Sequence, residues 1–401
     1  MIKFAKWIIT LAITVSICTG CGDKMELDQL AVVVAIGIDQ VEDSEDFEVS
    51  FQIINPHGAS ARVATEGGGS EDASVFTFTT RGKTLVEAVD LAKNIAPRRL
   101  FFSHMYYIII GENFARETGI NRVFDFVERD QQMRMQFLAF IAKDTTAKDM
   151  LSVFTPLDEN PAKSVRDRVM VASGSLGISG HLTLADAIRA YVKEDHHPIL
   201  LGLRNISSEN SDNTEVLSNI DEHSFSLDGL AVFKDDKLVD WMNTQESQGW
   251  VFLNNLVKDR TIFDTKCEGG YTGVRVHSLN ETVKAAVKNG KPHFTISLTG
   301  KGYMLETSCD LDIGDPEDFK KIKEAVNDEL RNEIQMTIDK SRELGFDVVG
   351  FSEWFHNQQP KKWKEWEGDW FHHLQEGEIV LNVDIDLTNT GMRFNSLNEA
   401  K

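Results

Sequence analysis

The run QLAVVVAIGID, from Gln29 to Asp39, decides the fold of the first part of the chain. It is a continuous apolar stretch closed by Gly37, and such a run is typical of a strand that is buried on both faces. The next segment, Phe47 to Ile54, alternates apolar and polar residues, as a neighbouring strand would. We therefore predict a buried strand over Gln29 to Asp39 with a second strand beside it.

Strands and helices then alternate as far as residue 145. Thr84 to Glu87 forms a capping box, which starts a helix that Pro97 ends. The predicted apolar face of this helix consists of Leu85, Ala88, Val89, Ala92 and Ile95. Met105 to Ile110 and Phe137 to Ala142 have the pattern of strands. Residues 21–145 are therefore predicted to form an N-terminal α/β domain.

The rest of the chain divides into a helical part and a strand-rich part. Residues 146–220 are predicted to be a small, mainly helical middle domain, and residues 221–401 a C-terminal α+β domain. A long helix begins with Asp315 as its cap and Pro316 in its first turn, and Gly345 ends it. Its apolar stripe consists of Phe319, Ile322, Val326, Leu330, Ile334 and Ile338. The predicted fold class is α+β and multidomain, with mixed sheets each packed with helices and a C-terminal sheet covered by the long helix.

The overall charge limits the classes of partner. The 401 residues carry a formal charge of -21, which is unfavourable for binding phosphates and argues against nucleic acid and against docking on anionic lipid. An apolar content of 41% with only 8 prolines is typical of folded globular protein. No later apolar run approaches the length of a transmembrane helix.

The first twenty residues have the features of a signal peptide. Lys3 and Lys6 precede an apolar run from Trp7 to Ile17, which is too short to span a bilayer comfortably. The small residues Thr19 and Gly20 then lead to Cys21, and this arrangement resembles a bacterial lipobox. We predict that residues 1–20 are a lipoprotein signal peptide and that Cys21 is the lipid-attachment residue. The alternative is an ordinary secretory signal that ends near a cysteine.

Two of the four cysteines remain for the folded protein. Cys18 leaves with the signal peptide and Cys21 carries the lipid, which leaves Cys267 and Cys309. An exported location permits a disulfide, but the sequence leaves the pairing open. The cysteines and histidines do not have zinc-site spacing, so no metal is predicted.

The sequence contains no pattern that indicates catalysis. No serine lies in a Gly-x-Ser-x-Gly elbow. Gly82-Lys83-Thr84 lacks the glycine that a phosphate-binding loop needs five residues earlier, where Thr77 stands. The pairs His196-His197 and His372-His373 do not form a two-ligand clamp, because adjacent residues on extended chain point to opposite sides. We predict no catalytic residue and no cofactor, and the protein is not expected to be an enzyme.

Tryptophans cluster near the end of the chain, at Trp354, Trp363, Trp366 and Trp370. They could form a binding surface, because indole combines a large apolar area with a polar group. We favour the interpretation that they anchor the crossover before the last strand in the core, with one of them exposed.

These landmarks together resemble the C-subunit lipoproteins of spore germinant receptors, the Ger(x)C family. The N-terminal resemblance is carried by Cys21-Gly22-Asp23, Glu26-Leu27 and Gly37-Ile38-Asp39, with Gly22 where the family usually has tryptophan. The central resemblance is carried by Arg99, His104, Ile108 to Glu112, Ala115, Gly119-Ile120, Asp125-Phe126 and Arg129-Asp130. The C-terminal resemblance is carried by Gly229 to Val239, Asp347, Gly350, Trp363, Trp366 and Phe371, with Asp240 where glycine is common.

The resemblance implies a non-enzymatic lipoprotein on the outer face of the spore inner membrane. Such a protein assembles with integral membrane A-type and B-type subunits into a receptor for nutrient germinants, and its body has three α/β domains. Two other classes remain open. An extracytoplasmic solute-binding lipoprotein of a transporter would have two similar α/β lobes, whereas a surface hydrolase would need a nucleophile or a metal site.

Overall fold

The computed structural model describes residues 7, 29–55, 75–153, 160–193, 195–206, 224–267, 269–311 and 315–389. These residues form two β-sheets with helices packed against them, which confirms the predicted α+β class. Cys21, the predicted lipid-attachment residue, lies outside the described residues.

The first sheet is mixed and contains nine of the described strands. They are β1 (Leu30–Gln40), β2 (Phe47–Ile54), β3 (Val75–Gly82), β4 (Arg99–Phe101), β5 (Tyr107–Gly111), β6 (Leu138–Lys143), β7 (Ile199–Asn205), β8 (Phe225–Lys234) and β9 (Lys237–Met242). Their order is β3-β2-β1-β5-β6-β7-β8-β9, and β4 pairs with β1. Strands β1, β5, β6 and β7 are parallel, while β2, β3, β8 and β9 are added in antiparallel pairings.

Strand β1 is buried on both faces, as its apolar run predicts. Val34 packs into the core on one side of the sheet, whereas Val33 and Ile36 pack into the core on the other side. The predicted neighbour is also confirmed, because β2 pairs with β1 in antiparallel register, with Ile36 opposite Phe51.

Six helices belong to the part of the chain that forms this sheet. They are α1 (Leu85–Leu91), α2 (Glu112–Glu117), α3 (Asn121–Arg129), α4 (Ala147–Leu151), α5 (Pro161–Leu176) and α6 (Leu184–Val192). Thr84 caps α1, since its side chain accepts a hydrogen bond from Glu87 N. The predicted capping box is only half formed, because the Glu87 carboxylate accepts from Lys83 N at 2.8 Å and not from Thr84 N. The prediction for Ile95 is wrong: its side chain is 54% exposed. A tighter 3₁₀ turn over Ala92–Asn94 follows α1 and rotates Ile95 away from the buried face.

The second sheet has the order β10-β11-β12-β13. Its strands are β10 (Arg260–Cys267), β11 (Gly270–Lys288), β12 (Lys291–Thr307) and β13 (Glu378–Asn389). The predicted long helix is α8 (Pro316–Leu344), with Asp315 as its cap and Gly345 ending it in the left-handed region. Ile322, Val326, Leu330, Ile334 and Ile338 are buried along α8, and Phe319, the first residue of the predicted stripe, is half-buried against the same core. The predicted stripe and the covering helix are therefore confirmed.

Side-chain amides cap the part of β11 that extends beyond β10 and the edge strand β13. Gln358 accepts a hydrogen bond from Ala285 N at 2.8 Å and donates one to Val283 O at 2.9 Å. On β13, Ile385 N donates to the Asn327 side chain of α8 at 2.9 Å. These bonds occupy backbone groups that an edge strand would otherwise offer to another chain.

Four more helices complete the described chain: α7 (Thr244–Leu253), α9 (Phe351–Gln358), α10 (Pro360–Trp366) and α11 (Trp370–Glu376). Trp363, Trp366 and Trp370 are buried, and Trp354 is half-buried. Trp366 stacks on Phe355 with 5.3 Å between ring centroids. The tryptophan cluster therefore belongs to the core, as we favoured, but none of the four is exposed, in contrast to the prediction for one of them.

A disulfide joins Cys267 and Cys309, whose Cα atoms are 5.7 Å apart. It links the end of β10 to the segment after β12. The structure therefore shows that Cys267 and Cys309 are paired, which the sequence left open.

The predicted division at 145/146 and 220/221 stays a prediction. The first sheet contains strands from all three predicted segments, since β7 pairs with β6 on one side and with β8 on the other.

Candidate functional site at the junction of the two sheets

The Gly37-Ile38-Asp39 motif closes one end of the first sheet. The Asp39 carboxylate accepts hydrogen bonds from Ala147 N at 2.8 Å and from Lys148 N at 2.9 Å, at the start of α4. Burial raises the pKa of Asp39 to about 6, although the two N–H donors act in the opposite direction. A Cβ atom at Gly111 would lie 2.2 Å from Asp39 Oδ1, so a glycine is required there. These motif residues hold β1, β5 and α4 together.

Glu112, at the end of the central motif, links the middle of the first sheet to its edge. It accepts hydrogen bonds from Arg116, from Asp144 N at 3.0 Å and from the indole N–H of Trp241 on β9 at 3.0 Å. Burial alone would raise the pKa of Glu112, but these hydrogen bonds outweigh it and hold the pKa below its usual range. The ionised Glu112 carboxylate therefore stabilises contacts within the fold.

The motif from Gly229 to Val239 forms the hairpin of β8 and β9. Gly229 has a φ of 72°, and a Cβ atom there would lie 2.0 Å from Met242 O. The turn of the hairpin is held by Ile120 N, which donates to Asp236 O at 2.8 Å. This motif is therefore also a structural element.

Two contacts join the first sheet and the helix that follows it to the C-terminal helices. Lys340 of α8 donates to Asp240 of β9 at 2.7 Å. The indole N–H of Trp250 in α7 donates to Val348 O at 2.8 Å. Asp240 stands where the family often has glycine, and in this chain its carboxylate provides one of the links.

A cleft of about 740 Å³ lies at this junction. One wall contains the end of α6 and the His196-His197 pair, and the other contains Trp250 and the segment from Asp347 to Glu353. Glu353 bridges the walls, because its carboxylate lies 2.7 Å from Lys193 Nζ and 3.2 Å from His196 Nε2. Lys193 and then His196 hold the pKa of Glu353 below its usual range.

Two more ionisable groups of the cleft, Asp347 and His197, are also bonded within the protein. Buried Asp347 accepts from Gly350 N at 2.9 Å, from Ser352 N at 2.7 Å and from the Trp370 indole at 3.2 Å. His197 Nδ1 accepts from Asp235 N at 3.3 Å, and burial lowers the pKa of this histidine. These side chains bond to groups of the same protein, and Glu353 bridges the two walls. The cleft residues therefore hold the two halves of the molecule together.

The described residues contain no cluster of three or more His, Cys, Asp or Glu side chains placed to bind a metal ion. Among the helices that the structure describes, none combines the length and apolarity needed to cross a bilayer.

Sequence reasoning missed the bridge through Glu353. Glu353 and His196 are 157 positions apart, and neither lies in a motif that points to the other. The only local signal is the adjacency of the two histidines, which predicts surface positions rather than a contact.

The fold and this junction define a two-sheet α+β protein in which the motif residues described above contact other parts of the same chain. Comparison with known proteins agrees over both halves: residues 23–204 match the spore germination protein N-terminal domain, and residues 228–391 match the "Spore germination B3/ GerAC like, C-terminal" family. The chain belongs to the Ger(x)C family, the C subunits of spore germinant receptors. This is a family of receptor subunits and not of enzymes.

Individual relatives are matched over nearly their whole length. Spore germination protein KC of Bacillus subtilis (strain 168) is 26% identical over 99% of this chain and 98% of its own. Spore germination protein B3 of the same organism is 21% identical over 96% of this chain and 98% of its own. The crystal structure of the GerBC protein has a TM-score of 0.54 at 16% identity and covers 88% of this chain and 97% of that one, which supports the fold.

Proposed function

We propose that the protein is a lipid-anchored C subunit of a nutrient germinant receptor, attached through Cys21 to the outer face of the spore inner membrane. The observation that carries the proposal is the family match, which begins at residue 23, immediately after the lipobox-like segment that ends at Cys21. The relatives named as spore germination proteins support the same process.

The lipid has a physical role in this proposal. A diacylated and N-acylated cysteine inserts more than one chain, and two chains suffice for stable attachment where a single chain is marginal. Attachment confines the folded body to the membrane surface beside integral A-type and B-type subunits. Confinement raises the effective concentration of the partners without requiring any additional contact. The chain would thus contribute to spore germination by assembly and not by chemistry.

The first test is anchoring. Cys21→Ala should leave the folded body intact and move it from the membrane fraction of spores to the soluble fraction, with weaker germination. Cys18→Ala is the matched control, since this cysteine lies in the same segment but is predicted to leave with the signal peptide. A Cys21→Ala protein that stays on the membrane would show that lipid is not what holds it there.

The second test identifies the partners. The tagged protein is purified from detergent-solubilised spore membranes, and the proteins that accompany it are identified by mass spectrometry. Two polytopic germination subunits in constant proportion would support the receptor assignment. A transporter permease would instead support the solute-binding alternative.

A further inference from the structure

The outer edge of β3 differs from the other strand edges of the molecule. Strand β3 is the last strand on one side of the first sheet, and it pairs with β2 without a bulge over its 8 residues. Among the residues that the structure describes, none outside β2 forms a backbone hydrogen bond with Val75 to Thr80. The backbone N–H and C=O groups that point away from β2 are therefore available to another strand.

Side chains of the same protein occupy backbone groups on other edge strands. On β9, at the opposite edge of the first sheet, Arg116 of α2 donates to Val239 O at 3.3 Å. In the second sheet, Gln358 bonds to β11 and Asn327 bonds to β13, as described above. The β3 strand has no equivalent contact within the described part of the chain.

The composition of β3 also suits the binding of a further strand. The run VFTFTT, from Val75 to Thr80, contains neither a charged residue nor a proline, which are the usual protections of an edge strand. Phe76 is 53% exposed, whereas Phe78, on the same face, stacks on Phe51 with 5.2 Å between ring centroids. An added strand would bury Phe76 beside a side chain of its own. We name Val75 to Thr80 the β3 edge.

Acidic residues surround the end of the β3 edge that leads to Gly82. Gly82 pairs with Phe47, and the turn between β1 and β2 ends directly before Phe47. This turn contains four carboxylates and no basic residue: Glu42, Asp43, Glu45 and Asp46. The turn therefore gives this end of β3 a local negative potential.

Neighbouring cations do not cancel the charge of the turn. Arg81 and Lys148 share Glu48, with N–O distances of 2.7 and 3.5 Å. Lys83 is exposed, but its backbone N–H donates to the Glu87 carboxylate at 2.8 Å, which places an acidic group beside it. Three cations and two carboxylates thus stand beside the four carboxylates of the turn, and the sum is negative. A strand that is basic at this end would be attracted to it.

We propose that the β3 edge binds an extended strand of a partner protein, antiparallel to β3, whose central residues are uncharged and whose end beside Gly82 is basic. In such strand addition the main-chain hydrogen bonds give affinity and the neighbouring side chains give specificity. A second copy of this chain is a poorer fit. Antiparallel pairing would bring the sequence before its Val75, which contains Glu71 and Asp72, towards the acidic turn. The surface does not depend on lipid at Cys21, so it goes beyond the proposed function.

The first test uses the purified full-length protein in neutral detergent and the fluorescein-labelled peptide Lys-Lys-Thr-Val-Thr-Val-Thr-Val. One control peptide has two glutamates in place of the lysines, and another has the same sequence with methylated backbone nitrogens. The lysine peptide should bind severalfold more tightly than the glutamate peptide and should protect the amides of Val75 to Gly82 from hydrogen exchange. The methylated peptide has the same charge but no N–H donors, so it should do neither. In about 1 M salt, where the Debye length is about 3 Å, the lysine and glutamate peptides should bind alike.

A variant of the protein tests the position of the contact. Thr77→Lys places a charge in the middle of the β3 edge, as many natural edge strands do. It should weaken binding of the lysine peptide severalfold and remove the protection from hydrogen exchange. The matched control is Thr282→Lys, at an exposed threonine of β11. Circular dichroism and thermal melting of both variants confirm that they are folded.

A photo-crosslinking residue at position 77, with position 282 as the control, tests the β3 edge in spores. Mass spectrometry identifies the peptide that is cross-linked, and an uncharged segment of another protein with adjoining Lys or Arg residues would support the proposal. A cross-link to residues 56–74 of the same chain, to a second copy or to an acidic segment would overturn it. A yield no higher than that at position 282 would overturn it as well.

The peptide experiment has its own contrary outcome. Equal binding of the methylated and unmethylated peptides would show attraction by charge alone, without strand addition, and the proposal would fall. Because the measurements on the purified protein do not involve Cys21, their failure leaves the lipid anchor untouched. In the same way, a Cys21→Ala protein that stays on the membrane would refute the anchor and not the β3 edge.

Discussion

The buried ion pair between Arg260 and Glu333 allows a quantitative prediction. The two guanidinium N–H groups donate to the two carboxylate oxygens at 2.6 and 2.7 Å, and the side chains are only 4% and 2% exposed. The pair ties β10 to α8. A Cβ atom on Gly177, at the end of α5, would lie 2.7 Å from Arg260 Cδ, so the pair also lies where the two halves of the molecule meet.

Glu333→Gln keeps the shape of the side chain but leaves the arginine charge buried without its partner. Removing one member of a buried pair costs about 3–5 kcal/mol. With an m value of about 3 kcal/mol/M, the urea midpoint should fall by roughly 1 M or more. Asp328→Asn on the same helix is the matched control, because its pair with Arg331 is solvent-exposed and is expected to contribute less than about 1 kcal/mol.

The double variant Arg260→Met with Glu333→Leu separates charge from packing. Apolar replacement of a whole buried pair is often neutral or stabilising, so the double variant should recover most of the loss. It should remain within about 2 kcal/mol of the wild type, since it also loses the contact of the Arg260 guanidinium with the Phe252 ring at 5.3 Å. Urea denaturation followed by tryptophan fluorescence measures all four proteins. A Glu333→Gln midpoint equal to that of Asp328→Asn would refute the argument.

Three further predictions concern stability. The pKa of Asp39, about 6, lies above its unfolded value of about 3.9. Its contribution to the free energy of unfolding, up to about 3 kcal/mol, is therefore present below pH 4 and lost as the pH rises through 6. Asp39→Asn should flatten this part of the pH dependence in a series of urea titrations. Reducing Cys267–Cys309, which closes a separation of 42 residues, should destabilise the protein by at most about 4 kcal/mol, and an unchanged midpoint in reductant would contradict this. Gly111→Ala should lower the melting temperature by crowding Asp39, whereas Gly174→Ala, with no atom within 4 Å of the new methyl group, should raise or preserve it.

Local sequence signals predicted much of the fold. The caps at Thr84 and Asp315 work because a side-chain oxygen and a free backbone N–H lie within one helical turn, and such pairs can be found in the sequence. The buried strand β1 was also predictable, because its composition alone requires burial on both faces. Ile95 was mispredicted because an ideal helical period was extended through a turn that tightens.

The parts that sequence could not predict depend on contacts between distant segments. The Cys267–Cys309 pairing follows from the register of β10, β11 and β12, and the Glu353 bridge follows from how α9 packs beside the end of α6. Neither arrangement has a local pattern. Cys21 stays a prediction from the sequence, because it lies outside the described residues.

The motif residues explain how the framework of this chain is stabilised but not what the protein binds. The carboxylates of Asp39, Glu112 and Asp347 accept hydrogen bonds from backbone N–H groups and from side chains of the same chain. These residues therefore stabilise the framework of this chain whatever partner it binds. Partner specificity must then come from exposed surfaces, where the framework imposes no residue.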